Sequence, residues 1–146
     1  MKKQKGFTLI ELLVVIAIIG LLSTLAVVAL SSARQKARDA KRVGDVKQLQ
    51  TSLELFFNEN NQYPTAAAVV LGATNYACLG DNGFTTTGSN CTTQFMGLIP
   101  TNPTPGGADY SYTSTGSSGT YTITFTLEGS VGGLAGASAA DQNGMQ

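Results

Sequence analysis

The chain has no histidine and no tryptophan, two cysteines in 146 residues, and no proline before Pro64. Without histidine, neither a Ser-His nor a Cys-His nucleophile pair can be built, and zinc lacks its usual nitrogen ligand. Acid pairs stay open in principle, but Asp81, Asp109 and Glu128 stand apart in sequence. No catalytic residue, metal ligand or cofactor is therefore expected, and the chain does not read as an enzyme. Bases are missing from most of its length. All nine Lys and Arg lie at or before Lys47, and from Gln48 onward there are six acids (Glu54, Glu59, Asp81, Asp109, Glu128, Asp141) and no base. Such a surface repels nucleic acid, so no nucleic-acid partner is expected. The glycines at Gly132-Gly133-Leu134-Ala135-Gly136 make no nucleotide loop, because no helical pattern follows them.

What is abundant is apolar sequence near the start. Residues 7–30 carry a single charge, Glu11, close to the front edge. As a helix they would span roughly 36 Å, against a hydrocarbon core of roughly 30 Å. A carboxylate inside such a segment costs on the order of 2.5–3.5 kcal/mol at the midplane and less near an edge, so Glu11 calls for a partner. Lys2, Lys3 and Lys5 precede the run, and Gly6 separates them from Phe7.

The order of short basic leader, Gly6, Phe7 and then Thr8-Leu9-Ile10-Glu11-Leu12-Leu13 resembles the signal of type IV pilins and of the pseudopilins of type II secretion systems. The resemblance covers residues 1 to about 30. It implies that a prepilin peptidase cuts between Gly6 and Phe7 and methylates the new Phe7 amine. It implies further that Lys2, Lys3 and Lys5 hold the leader at the anionic cytoplasmic face. Glu11 would then pair with the freed Phe7 amine of a neighbouring subunit, giving assembly both a driving force and a register. The bland reading of Glu11 is that its own helix start satisfies it. An ordinary secretory signal cut near Ser31-Ser32-Ala33 is the rival reading of the whole segment, against which stand its length and Glu11.

By this resemblance the fold is α+β and pilin-like, a long N-terminal helix packed on a small antiparallel head. The expected division is a leader at 1–6, a membrane and filament-core half of the helix at 7–30, an amphipathic half at 31–61, and a head at 62–146 with a flexible tail. Small residues such as Ala17, Gly20 and Ala26 would let the apolar halves bundle closely. The expected function is a structural subunit of a type IV pilus-like filament. The alternatives are a type II secretion pseudopilin and a lone membrane-anchored binding domain. Expected partners are the prepilin peptidase, further copies and minor pilins, an assembly ATPase with its platform protein, and the inner membrane. Six bases follow the apolar run and three precede it, so a tally of bases alone would keep the bulk of the chain in the cytoplasm. The leader and the cysteines argue for an extracytoplasmic head instead. With the leader removed, six bases face nine acids, a net of −3.

Val43, Val46, Leu49, Leu53, Phe56 and Phe57 recur at helical steps, and Ala33, Ala37 and Ala40 continue the stripe backwards. Neither Gly20 nor Gly44 ends a helix, so one helix is expected from Phe7 to Asn60, stopped by the asparagines there and by Pro64. Lys41 with Asp45, and Lys36 with Asp39 and Arg42, have the spacing of mutual pairs on a solvated face. Ala66 to Leu71 fits a strand or a short helix equally well. Residues 72–109 read mostly as loop, with Phe95 to Ile99 the part expected to reach the core. Tyr110 to Thr113 and Tyr121 to Leu127 alternate as strands across a turn at Gly116-Ser117-Ser118-Gly119. Past Gly129, a strand at Val131 to Leu134 and disorder both remain open. Cys78 and Cys91 lie where oxidation is allowed, and a bond between them would close a loop worth roughly 3 kcal/mol. Two unpaired thiols are the alternative. Some major pseudopilins carry calcium in the head near an Asp-Pro and aromatic segment. Thr101-Asn102-Pro103 and Asp109-Tyr110 echo that region with its acids mostly missing, so no metal is expected.

Overall fold

A computed structural model describes residues 6–86, 91–116 and 119–146. The leader lysines Lys2, Lys3 and Lys5, and the two serines of the expected turn, lie outside the described residues. One helix, α1 (Leu9–Asn60), runs unbroken past Gly20 and Gly44. It ends where expected. Asn61 takes a left-handed φ of 53°, which asparagine tolerates, and its N–H donates to Phe57 O at 2.7 Å. By contacts the chain forms two units, residues 1–35 and 36–146.

In the first unit every large apolar side chain from Phe7 to Leu30 is exposed, with Leu9 at 81% and Val28 at 70%. The helix there is long and apolar enough to cross a membrane.

The second unit is the head. After α1 come β1 (Ala66–Val70), a 3-10 turn at Thr74–Tyr76, β2 (Cys78–Gly80), β3 (Gly83–Thr85), β4 (Ser111–Ser114), β5 (Thr122–Val131), β6 (Leu134–Asp141) and β7 (Gly144–Met145). The main sheet has the order β1-β4-β5-β6-β7, and β2 and β3 form a separate hairpin. All paired neighbours are antiparallel. Alternation in β5 puts Ile123, Phe125 and Leu127 on one face, joined by Tyr110, Tyr112 and Tyr121. That face covers Val46, Leu49, Leu53 and Phe56 of α1, while Val43 and Phe57 pack at the edge of the same cluster. Burying each of these large side chains is worth about 1.5–3 kcal/mol. A chain of ring contacts crosses the core, from Phe57 through Tyr63 and Tyr121 to Tyr112 and Phe84.

Several expectations change. The undecided Ala66 segment is a strand, and it pairs with β4 through a shift in register at Ala68, whose φ is 54°. The loop expected over 72–109 contains the β2–β3 hairpin. Of Phe95 to Ile99, Ile99 is buried, Phe95 and Met96 are half-buried, and Leu98 is exposed. Val131 ends β5 and Leu134 begins β6, with Gly132 and Gly133 turning between them, and the Gly-Ala-Ser tail forms β6 and β7. Small side chains suffice in β6 because only Ser138 and Ala140 are fully buried there, with Leu134 packing at the edge of the core. Ala33, Ala37 and Ala40 do not continue the stripe; they are exposed, and charged residues occupy the buried face instead.

Cys78 and Cys91 are joined by a disulfide. The segment it closes contains the β2–β3 hairpin, and Gly80 at the end of β2 packs so tightly that a Cβ there would meet Thr92 O at 2.6 Å. Replacing both cysteines by serine should cost roughly 3 kcal/mol and lower the head's Tm by about 10 °C in heat melts. An unchanged Tm would show that the bond adds no stability.

Candidate functional site

Two places hold charge in an unusual setting. The first is the start of α1. Thr8 caps the helix, with its Oγ1 accepting from Glu11 N at 3.3 Å. In return Glu11 Oε2 accepts from Thr8 N at 2.8 Å and from Thr8 Oγ1 at 2.7 Å. This reciprocal arrangement is the capping box that Ser or Thr followed three residues later by Glu can form. The bland reading of Glu11 is thus realised within a single chain. Both bonds end on Oε2, and among the described residues no donor reaches Oε1. A carboxylate so placed can take a further donor on Oε1 without giving up these two. Phe7 beside it is 89% exposed, and a Cβ on Gly6 would meet nothing within 4 Å.

The second place is in the head. Asp39, Arg42 and Asp45 fall on the helix face that continues through Val46, Leu49 and Leu53, and all three are buried. The expected pairing of Asp39 with Arg42 is present at 2.7 Å, but in the interior rather than on a solvated face. Burial is tolerated because every group is answered. Asp39 accepts from the Glu128 and Gly129 amides at 2.9 and 2.8 Å. Glu128 takes both Arg38, through two bonds, and Arg42 at 2.7 Å. The Arg38 bonds, then those of Arg42, hold the Glu128 carboxyl well below its usual range, at about 2. Asp45 is pushed the other way by burial, against the bond it accepts from the Tyr110 hydroxyl at 3.0 Å. Sequence reasoning missed this cluster because Glu128 is distant in the chain. The one available signal was that Asp39, Arg42, Val46 and Leu49 share a helical stripe.

The metal expectation can be tested on the loop before β4. Asn102 Oδ1 and the Pro103 and Gly106 carbonyls all accept from Arg42, and Asp109 is exposed. These residues do not fit a calcium ion, since a cation already uses their oxygens. Among the described residues no group of three or more His, Cys, Asp or Glu could hold a metal.

Residues 1–27 match the prokaryotic N-terminal methylation motif. Type II secretion system core protein G of Vibrio cholerae is 34% identical over 139 residues, covering 91% of this chain and 87% of that protein. The chain belongs to this core protein G family. The proteins of the same name from Escherichia coli K12 and Aeromonas hydrophila are 44% and 42% identical over 63 and 64 residues. Those two matches span 43% and 45% of the relatives' lengths. No solved structure matches. Membership makes the chain a pilin-like structural protein and not an enzyme. It also favours the secretion pseudopilin, the alternative reading, over the surface pilus subunit.

The lowered Glu128 pKa has a sign. The folded carboxyl binds its proton less tightly than the unfolded one, so its contribution to stability is full above about pH 4.5 and is lost as pH falls toward about 2. Melts over that range should show the head losing stability, and Glu128→Gln should flatten this part of the profile while lowering Tm at neutral pH. A variant profile parallel to that of the parent would rule the cluster out as the cause.

Proposed function

We propose that this protein is a pseudopilin, a subunit that polymerises from the inner membrane as part of a type II secretion system and serves protein export. The likeness to a core secretion protein along 91% of the chain is the observation that carries this reading. The methylation motif and the exposed apolar surface of residues 7–30 support it. The prepilin peptidase removes residues 1–6, with Lys2, Lys3 and Lys5 holding the leader at the cytoplasmic face and Gly6 admitting the backbone at the scissile bond. The Phe7 amine so released is methylated.

Each subunit then anchors through residues 7–30, with residues 31–61 carrying the head, 62–146, outside the cytoplasm. An assembly ATPase and its platform protein draw the subunits into a helical polymer in which minor pilins also take part. In the apolar phase the new amine of one copy and Glu11 of the next are the two charges without water, and joining them removes the penalty of both. Thr8 keeps Oε2 occupied, and Oε1 takes the neighbour's amine.

Deleting the gene should leave type II cargo in the periplasm while surface pili persist, and the intact chain should restore export. Glu11→Ala should anchor normally yet lower exported cargo at least about ten-fold, the loss of one paired charge in lipid. Normal export with loss of pili in the deletion strain would overturn the proposal in favour of a surface pilus.

A further inference from the structure

The guanidinium of Arg42 is fully buried and sits among six oxygens. Nε donates to Asn102 Oδ1 at 2.7 Å. Nη1 donates to Asp39 Oδ1 and Glu128 Oε1, both at 2.7 Å. Nη2 donates to Pro103 O at 2.8 Å and Gly106 O at 2.6 Å, with Pro105 O at 3.4 Å. Asn102 closes the ring by donating through Nδ2 to the Gly106 and Gly107 carbonyls at 3.0 and 3.2 Å. Two carboxylates, a side-chain amide oxygen and backbone carbonyls turned inward by one short loop are the donors that hard divalent cations select.

We infer that Arg42 is the resident cation of the loop at residues 102–107, and that the order of this head is independent of calcium. Three observations converge. The charge balances without a metal, since Arg38 and Arg42 face Asp39 and Glu128. The loop is shaped to the arginine: Gly107 has a φ of 72°, and a Cβ there would lie 2.9 Å from Arg42 Nε and from Thr126 O. Gly106, with a φ of 86°, is pressed in the same way against Glu128. A second cation at these oxygens would meet the guanidinium at hydrogen-bond range in a medium of low dielectric, where like charges repel strongly.

A tethered cation also behaves differently from a free one. It cannot be lost to a chelator or to dilution, so the loop forms whenever the helix and β5 come together. The inference concerns the head's own order and does not depend on the role in secretion, so it is tested without any export assay.

The full chain in detergent is melted in EGTA and in millimolar calcium chloride. Tm should agree within about 1 °C, whereas an ion at one hundred times its Kd would raise it by roughly 10 °C. In parallel, limited proteolysis follows cutting within residues 101–107 in the parent and in Asn102→Ala, a variant that keeps the buried ion pairs. Loss of two loop bonds and the Nε partner should speed cutting of the variant about ten-fold, equally with and without calcium. A parent Tm raised several degrees by calcium would overturn the inference. So would a variant cut no faster than the parent, or one protected again by calcium.

Discussion

A helix that shows leucine, isoleucine and valine on every side cannot remain in water. From Phe7 to Leu30 no large apolar side chain is covered by the chain itself. Each would gain about 1.5–3 kcal/mol from leaving water, so the segment must lie in lipid or against other such helices. Both surroundings impose the same condition on polar groups, since neither offers water to an unpaired charge. Glu11 is therefore the residue on which the segment's behaviour turns. Thr8 meets part of its demand within the chain, through two bonds to Oε2.

The head solves the opposite problem, that of holding charge in an interior. Arg42 is fully buried and would be a large liability alone. It is answered by two carboxylates and by carbonyls of a loop that has no regular structure to occupy them. The cluster links α1 to the end of β5 through the Asp39 carboxylate and two backbone amides. Below it lies an apolar core in which three tyrosine hydroxyls find partners: Tyr63 donates to Glu54, Tyr110 to Asp45 and Tyr112 to the Pro64 carbonyl.

Much of this was legible in the sequence because it rests on periodicity. The long helix, its stop at the asparagines, the apolar stripe and the β4–β5 pairing follow from spacings of 3.6 and 2 residues. The disulfide was open only in whether the two thiols pair. What escaped has a common cause, in that it depends on contacts between distant residues. Asp39 and Arg42 looked solvated because nothing local shows that Glu128 and the 102–107 loop will cover them. The tail past Gly129 looked open to disorder because alanine, glycine and serine have weak strand propensity, and only pairing with β5 decides their conformation. At the site, the Thr8–Glu11 spacing was in plain sight, but its reading as a capping box needed the geometry.

The central claim is that a freed Phe7 amine, close to Glu11, converts a membrane anchor into a subunit that can polymerise. It is tested most directly by the mass of the N-terminal peptide of the chain purified from its own host's membranes. A peptide beginning at Phe7 and heavier by one methyl group is the predicted result. A chain that still begins at Met1, or one cut near Arg34, would contradict the account.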